Sequence, residues 1–308
     1  MNDINSDKPA LTSGFDPLSE VLQLLKLDVS IYHNAKVCGN WHIGDNGQHS
    51  SCFHIVTLGR CYLDAPGHYS GQMDEGDLMI FSTALPHTLR PIESLSGEQQ
   101  HLSFNDSEDV AGTGLLCGDV NFQHRGSQQL LSALPPLLII RYEQAKPWMK
   151  PLLEMVMVEN RSPGAVSKAI LDRLSELLFT YAVKGFVAEH SDTATMLSLY
   201  GDERLALAVK AIHSQPAHDW SLDQLAKKAM MSRTVFAERF KAVSGWTVGQ
   251  YTIWWRMQLA WDLLHNGKAV SQVAECVGYQ SEAAFSRAFK KMFDLSPGKV
   301  RRGQDNRL

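Results

Sequence analysis

Hydrophobic and polar residues repeat with different periods in different parts of the chain. An apolar stripe at helical spacing from Pro17 to Leu27 predicts a short leading helix. From about residue 30 to residue 122 the apolar residues come in short runs broken by Gly, Asn, Asp and Pro, which is typical of a strand-rich barrel or sandwich. Helical spacing returns at Trp148–Asn160 and Ala165–Glu189, joined at Ser162-Pro163-Gly164. These two helices predict a hairpin that caps the strand-rich region, packs against its twin in a homodimer, or does both.

The last hundred residues contain one pattern twice. Leu225 and Phe236 in the first copy correspond to Val273 and Phe285 in the second, at separations of 48 and 49 residues. Each copy predicts a short helix, a tight turn and a longer helix, the helix-turn-helix plan whose second helix enters a DNA major groove. Between the copies, Val248 to Leu264 predicts one helix of roughly 27 Å. The reading helices lie beyond the two ends of this helix, which brings their separation close to one turn of B-DNA, about 34 Å. Both units can therefore meet successive major grooves on one face of the DNA.

The second helix of each copy has a predictable outer face. Phe236 and Phe240 are four residues apart and face the core, as do Phe285 and Phe289, so the remaining positions point outward. An outward arginine such as Arg287 suits a bidentate contact to guanine, and Glu238 can accept from a cytosine amino group. The residues expected to meet bases and phosphates are Ser232, Arg233, Thr234, Ala237, Glu238 and Lys241 in the first copy, and Ser281, Glu282, Ala283, Ser286, Arg287 and Lys290 in the second.

Charge separates the two halves of the chain. The net charge is −4 overall, but residues 202–308 carry +6 and residues 1–201 carry −10. A basic segment that coincides with the repeat favours double-stranded DNA as a partner. The stretch Met1 to Gly14 lacks the apolar core of a signal peptide and no apolar run has the length of a membrane span, so we expect a cytoplasmic protein. Five cysteines in a reducing compartment argue against a disulfide framework.

The repeat region resembles the AraC/XylS family of transcription regulators over about 100 residues. That resemblance implies a sequence-specific regulator, an activator rather than a repressor, which works with RNA polymerase and binds DNA as a homodimer. Met230 departs from the family's usual glycine in the first turn, where a left-handed residue is strained by about 1 kcal/mol or more. The matching residues are Leu222-Asp223-Gln224-Leu225-Ala226, Met231-Ser232-Arg233, Phe236-Ala237-Glu238-Arg239-Phe240-Lys241, Gly245, Val273-Ala274, Val277-Gly278-Tyr279, Ser281, Phe285-Ser286-Arg287-Ala288-Phe289-Lys290 and Ser296-Pro297.

The strand-rich region resembles a small cupin barrel of the kind fused to AraC-type domains. The combined resemblance implies an α+β chain of two domains. A cupin-like sensor and dimerisation domain spans 1–190, with the barrel at about 30–122 and the hairpin at about 148–189. A linker at 191–201 joins it to an all-α double helix-turn-helix domain at 202–308. The residues that carry the cupin resemblance are Phe53-His54-Ile55-Val56, Gly59, Glu75-Gly76-Asp77-Leu78-Met79-Ile80-Phe81, Pro86-His87, Cys38-Gly39, Cys117-Gly118 and Leu134-Pro135-Pro136.

Four residues of the strand-rich region are candidates for a sensing site: Cys38, His54, His87 and Cys117. Two thiolates and two imidazoles suit zinc or copper(I). A redox alternative requires a low-pKa thiolate at Cys38 or Cys117. A third possibility is that all four are structural core residues, or that the domain holds a small-molecule pocket. Cys52, Cys61 and Cys276 are expected to be packing residues.

The leading hypothesis is a one-component regulator in which the cupin domain senses a small molecule, metal or oxidant and biases the DNA-binding units. Two alternatives compete with it. A metal-dependent cupin enzyme with accessory DNA binding requires a histidine pair and a glutamate, and the first motif has a lone His54 and no such glutamate. A protein that only recruits partners through the hairpin Trp148–Glu189 would not depend on Arg287.

Overall fold

A computed structural model of the chain describes residues 17–25, 27–45, 51–93, 96–104, 109–122, 131, 133–147, 149–161, 164, 166–189 and 195–304. Strands dominate the first half of the chain and helices the second half, which confirms the predicted α+β class with two domains. Within the described residues, no helix combines the length and the apolar character that crossing a membrane requires. The predicted polar terminus Met1–Gly14 lies outside the described residues.

The N-terminal half consists of two antiparallel sheets flanked by helices. The larger sheet has the strand order β10-β6-β3-β9-β1-β8 and the smaller has β2-β7-β4-β5. No ladder among the described residues joins the two into the closed barrel that the sequence predicted. The elements are α1 Pro17–Leu25, β1 Leu27–Cys38, β2 Ile43–Asp45, β3 Cys52–Leu58, β4 Arg60–Ala65, β5 Tyr69–Asp74, β6 Leu78–Phe81, β7 His87–Arg90, β8 Gln100–Leu102, β9 Gly112–Phe122, β10 Leu137–Ile140, α2 Lys150–Arg161 and α3 Ser167–Glu189.

The central strands of the larger sheet are buried on both faces. In β3, Cys52 and Val56 belong to a core shared with the smaller sheet, whereas Phe53 and Ile55 belong to a core on the opposite face. The alternation has a period of two because successive side chains of a strand point to opposite faces. The first core lies between the sheets and the second lies between the larger sheet and the helices.

The helical hairpin covers the larger sheet. A carboxylate oxygen of Asp172 in α3 accepts a hydrogen bond of 3.1 Å from the backbone N–H of Ile31 in β1. The guanidinium of Arg161 at the end of α2 donates to the carbonyl oxygen of Thr57 in β3 at 2.7 Å. The hairpin therefore caps the sheet, as one of the two predicted roles requires. The predicted residues Trp148, Ser162, Pro163 and Ala165 lie outside the described residues.

The C-terminal half is helical, and side-chain caps fix where several of its helices begin. Asp202 accepts hydrogen bonds from the N–H groups of Arg204 and Leu205, and Ser221 forms a capping box with Gln224. These caps fix the starts of α5 and α6. The helices are α4 Ser198–Gly201, α5 Glu203–Ser214, α6 Leu222–Lys228, α7 Arg233–Ser244, α8 Val248–His265, α9 Val270–Cys276, α10 Glu282–Phe293 and α11 Pro297–Arg301.

Two predicted boundaries were wrong. The leading helix ends at Leu25 and not at Leu27, because Leu27 begins strand β1. The predicted linker 191–201 contains helix α4, and the neighbouring Leu197 and Leu199 are fully buried, so this part of the chain is packed into the core. Residues 190–194 lie outside the described residues.

One hydrophobic core extends through both halves of the chain. It includes Phe53 of the larger sheet, Phe179 of α3, Leu199 of α4, Phe236 of α7 and Tyr251 of α8. A separate core holds the second helix-turn-helix unit, where Phe285 and Phe289 are fully buried. The first unit therefore shares its core with the N-terminal domain, whereas the core of the second unit is its own.

Candidate nucleic-acid interface and sensor site

The turn of the first unit has the geometry that the sequence predicted to be strained. Met230 has φ of 54° and its side chain is 68% exposed. The N–H of Met231 donates to the carbonyl oxygen of Ala226 at 2.9 Å, which closes the last turn of α6 in the manner of a Schellman motif. Left-handed backbone is costly for a residue with a Cβ, so Met230 carries strain that glycine would not carry.

Helix α7, the first reading helix, presents the predicted outer face. Ser232 caps it by accepting from the N–H of Val235, and Phe236 and Phe240 are fully buried. One of the outward cations is already paired, since Arg233 forms an ion pair of 3.2 Å with Asp223 of α6. The predicted contact residues Ser232, Arg233, Thr234, Glu238 and Lys241 are exposed, and Ala237 is half-buried.

Helix α10, the second reading helix, follows a turn in which Gly278 has φ of 80°. The N–H of Tyr279 donates to the carbonyl oxygen of Ala274 at 2.9 Å, which repeats the bond of the first turn 48 residues later. Ser281 caps α10 through the N–H of Ala284. Among the described residues, no salt bridge engages Arg287 or Lys290. The predicted residues Ser281, Glu282, Ala283, Arg287 and Lys290 are exposed, and Ser286 is half-buried.

The loop before the first unit holds the two units together. Arg256 of the long helix α8 donates to the carbonyl oxygen of Pro216 at 2.7 Å and to that of His218 at 2.9 Å. In the same loop Ala217 packs against Gly278, where an added Cβ would lie 2.7 Å from the Ala217 carbonyl oxygen. These contacts fix the second turn relative to the first unit and to α8.

A histidine pair lies in the core between the two sheets of the N-terminal domain. The Nε2 atoms of His54 in β3 and His87 in β7 are 2.8 Å apart, and Cys52 Sγ is 3.9 Å from His54 Nε2. All three residues are buried, at 2 to 4% exposure. The ring of Phe81 stacks on His87 with 3.8 Å between centroids and meets His54 edge-on. The predicted proximity of His54 and His87 is thus observed, and the third member of the cluster is Cys52.

The two cysteines predicted for this site occupy other positions. Cys38 pairs with Gly112 at one end of β9, five residues from Cys117, which corresponds to roughly 17 Å along the strand. Cys117 is the Cα partner of His54 and shares its sheet face, but the cluster of close ligand atoms is formed by Cys52, His54 and His87. Cys52 is packed in this core as the sequence predicts, and the period of two of β3 also places it on the same face as His54.

Burial governs the acidity of these thiols. It raises the pKa of Cys52 to about 12, with the charges of Asp45 and Asp119 adding to the effect. It also raises the pKa of Cys38 and holds that of Cys117 well above its ordinary value. A reactive redox cysteine needs a depressed pKa. Burial therefore disfavours the low-pKa thiolate that the redox alternative assigned to Cys38 or Cys117.

A buried polar relay connects the N-terminal helix to the DNA-binding half. His213 of α5 stacks on the Trp255 ring of α8 with 3.5 Å between centroids, and its Nε2 is 2.7 Å from the Tyr251 hydroxyl. Its Nδ1 faces Glu20 of α1 at 3.3 Å. Burial lowers the pKa of His213, and Glu20 partly offsets this effect. A neutral imidazole can accept from the Tyr251 hydroxyl at Nε2 while its Nδ1 lies beside the Glu20 carboxylate. Sequence periodicity gave no indication of this relay.

Each half of the chain matches a family of known proteins. Residues 16–188 match the model of a cupin family, and residues 225–303 match that of a helix-turn-helix domain. An uncharacterized HTH-type transcriptional regulator of Haemophilus influenzae is 27% identical over 298 residues, which is 93% of this chain and 98% of that protein. The regulator AlkR of Acinetobacter baylyi is 28% identical over 92% of this chain and 97% of its own. The RCS-specific transcriptional activator RclR of Escherichia coli is 26% identical over 93% of this chain and 97% of its own.

Proposed function

The chain belongs to the cupin-domain transcription regulators with an AraC-type helix-turn-helix region, and on that premise we propose that it is a one-component sensor and sequence-specific DNA-binding regulator. Its two reading helices enter successive major grooves of promoter DNA, and the state of the cupin domain biases how they bind. The observation that carries the proposal is the pair of exposed reading helices braced at a fixed separation by α8, Arg256 and the Ala217–Gly278 contact.

The two reading helices have different roles in this proposal. Arg287 and Lys290 make the anchoring contacts, since no salt bridge among the described residues competes for them. Arg233 must first leave Asp223, which makes the first helix the adjustable one. The remaining contacts to bases and phosphates fall to the other predicted residues, Ser232, Thr234, Ala237, Glu238, Lys241, Ser281, Glu282, Ala283 and Ser286.

Sensing reaches the DNA through the first unit. Its support is the continuous core that extends from the larger sheet through α3 and α4 to α7 and α8, together with the Glu20–His213–Tyr251 relay. The second unit has its own core, so a change in the cupin domain acts first on the first reading helix, while the contacts of α10 with DNA anchor the braced pair. The effector is a small molecule, a metal or an oxidant.

The remaining assignments concern assembly and the direction of regulation. The hairpin exposes Met155, Val158 and Leu177 at 44 to 67%, an apolar face that suits homodimerisation. Because the relative RclR is an activator, we assign the same role here, with RNA polymerase as the partner at the promoter. We propose a cytoplasmic location, where such a regulator meets promoter DNA. Leu177→Glu should give a monomer in sedimentation experiments, and a dimer that persists would refute the hairpin interface.

The enzyme alternative has less support. The described residues that gather as a candidate ligand cluster are Cys52, His54 and His87, without the glutamate that a cupin catalyst uses. A protein that only recruits partners through its hairpin would leave the exposed basic residues of α10 without a role.

A gel shift with the DNA upstream of the gene that encodes this protein tests the proposal. At about 150 mM salt the protein should bind this DNA in the presence of excess unrelated competitor, and Arg287→Ala should weaken the complex by about 1–3 kcal/mol. Arg173→Ala is the matched control, because Arg173 is an exposed arginine of the hairpin. Binding that unrelated DNA removes completely would refute sequence-specific recognition, and equal losses in both variants would refute the role of Arg287.

A further inference from the structure

We propose that Cys52, His54 and His87 form a binding site for a thiophilic d10 cation, copper(I) or zinc(II), in the core between the two sheets. This inference deepens the proposed function, since it names the effector class of the sensing domain. The binding itself does not depend on any DNA contact. It differs from the four-residue site that the sequence predicted, because Cys52 takes the place of Cys38 and Cys117.

The distances among the three ligand atoms are close to those of a metal site. Bonds of about 2.0 Å to nitrogen and 2.3 Å to sulfur place two ligand atoms roughly 3.3–3.7 Å apart at tetrahedral to trigonal angles. Cys52 Sγ lies 3.9 Å from His54 Nε2, the two Nε2 atoms lie 2.8 Å apart, and all three ligand atoms lie within 4.8 Å of one another. The imidazoles need to separate by about half an ångström, which small ring rotations supply.

The backbone fixes His87 in the tautomer that a metal ligand requires. Its Nδ1 lies 2.8 Å from the carbonyl oxygen of Leu85, which can only accept, so Nδ1 carries the proton and Nε2 presents its lone pair to the cluster. A metal-bound histidine commonly donates its other N–H to a backbone carbonyl in this manner. Phe81 holds the same ring by stacking and contacts His54 edge-on, so one side chain positions both imidazoles.

Charge also favours a cation at this place. The strand registers put Asp119 directly opposite Cys52 and Asp45 directly opposite His87. Opposed residues of antiparallel strands share a face, so both carboxylates lie on the same face as a ligand. On binding, the Cys52 thiol releases its proton to solvent as a metal–sulfur bond forms, and the proton between the two imidazoles moves from Nε2 to Nδ1 of His54, so that both Nε2 atoms can bind the ion. The thiolate alone neutralises copper(I), whereas a zinc(II) site keeps one positive charge that Asp45 and Asp119 offset. Thiolate and imidazole ligands suit both ions.

Titration of reduced, metal-free full-length protein tests this site in two arms. Copper(I) is competed against bathocuproine disulfonate, and zinc(II) against a chromophoric chelator. We expect one equivalent of one of the two ions per chain, and X-ray absorption of the loaded protein should show one sulfur and two imidazole ligands. Cys52→Ser should weaken binding by about 100-fold or more, since loss of a ligand exceeds the 10–100-fold cost of losing an outer partner. Cys61→Ser, a change at an equally buried cysteine of the same core, is the matched control and should change affinity by less than about threefold.

The proposed site is refuted if neither copper(I) nor zinc(II) binds at one equivalent per chain. It is also refuted by a shell without sulfur, or by an affinity that falls in Cys61→Ser as much as in Cys52→Ser. Should Cys52→Ser fail to fold, the absorption spectrum of the wild-type protein still decides, because it counts sulfur ligands directly. A gel shift with metal-free and loaded protein is run beside the titration. Absence of specific DNA binding in both the metal-free and the loaded protein, with intact metal binding, refutes the proposed function alone. Specific DNA binding by a protein that binds neither ion refutes the metal site alone.

Discussion

Substitutions at the two helix-turn-helix turns should change stability in opposite directions. Gly278 and Met230 occupy equivalent positions 48 residues apart, both with left-handed backbone, at φ of 80° and 54°. Gly278 packs against the backbone of Ala217, and the Met230 side chain is 68% exposed. We therefore expect Gly278→Ala to destabilise the protein and Met230→Gly to stabilise it.

The structure sets the size of each effect. A Cβ at position 278 would lie 2.7 Å from the Ala217 carbonyl oxygen and 2.9 Å from its Cα. The left-handed conformation costs an alanine about 1–2 kcal/mol. Forcing a methyl group into packed backbone adds about 1–3 kcal/mol. Gly278→Ala should therefore lower the free energy of unfolding by about 2–5 kcal/mol. Met230→Gly relieves the same conformational strain. The added freedom of glycine in the unfolded chain offsets about 0.5–1 kcal/mol of that gain. Little buried area is lost because the Met230 side chain is exposed.

Urea unfolding of the full chain, followed by circular dichroism at 222 nm, measures both changes. Trp261 packs on Phe289 and Phe293, so the part of the fluorescence of the seven tryptophans that Trp261→Phe removes reports on the second unit. We expect the Gly278→Ala loss in the transition of the second unit, and a gain of about 0.5–1 kcal/mol for Met230→Gly. If the free energy of unfolding of Gly278→Ala lies within about 0.5 kcal/mol of the wild-type value, the close contact with Ala217 is refuted. Substitutions at ordinary surface positions change stability by no more than that. Destabilisation by Met230→Gly would refute strain at Met230.

Three further predictions concern DNA contacts, pH and the spacing of the units. Arg287→Ala should weaken specific DNA binding by more than Arg233→Ala in a gel shift, because Arg233 gives up its Asp223 partner on binding; the reverse order would refute the assignment of the anchoring helix. The free energy of unfolding should fall as the pH drops below about 6.5, because burial lowers the pKa of folded His213 beneath that of the unfolded chain and protonation then favours unfolding. The pH dependence from 8 to 5 should be smaller in His213→Gln, and identical curves would contradict the buried neutral imidazole. Arg256→Ala should reduce DNA affinity by about 1–3 kcal/mol, because it removes two charged hydrogen bonds that hold the loop against α8. Fluorescence anisotropy measures this affinity, and an unchanged value would show that those bonds do not fix the spacing of the two units.

Local patterns were enough to predict the DNA-binding half. Ser221 and Ser232 are cap residues whose side chains bond to the next turn, and such bonds depend on a few neighbouring residues only. Phe236 and Phe240 lie one helical turn apart, so their burial fixes the outer face of the helix. The strained turn at Met230 followed from the glycine that the AraC/XylS family usually has at this position, and the structure shows left-handed backbone there.

The sensor site required pairing information that a single sequence does not contain. Cys117 was a reasonable partner for His54, and the strands do place them opposite each other. Whether Cys52 or Cys117 approaches His87 depends on how the smaller sheet packs on the larger one, which no local pattern determines. The His213 relay is equally non-local, since Glu20 and Tyr251 lie far from His213 in the chain. The burial of Leu197 and Leu199 likewise results from tertiary packing, which turned a predicted linker into part of the core.

Two reading helices held apart by α8 should bind successive major grooves on one face of the DNA. Guanine methylation interference on the region upstream of the gene, at about 150 mM salt, measures this arrangement. We expect two patches of interference per chain, separated by about one helical turn or 34 Å, and the patch that depends on Arg287 should persist when Arg233 is replaced. A single patch, or two patches on opposite faces of the duplex, would contradict it.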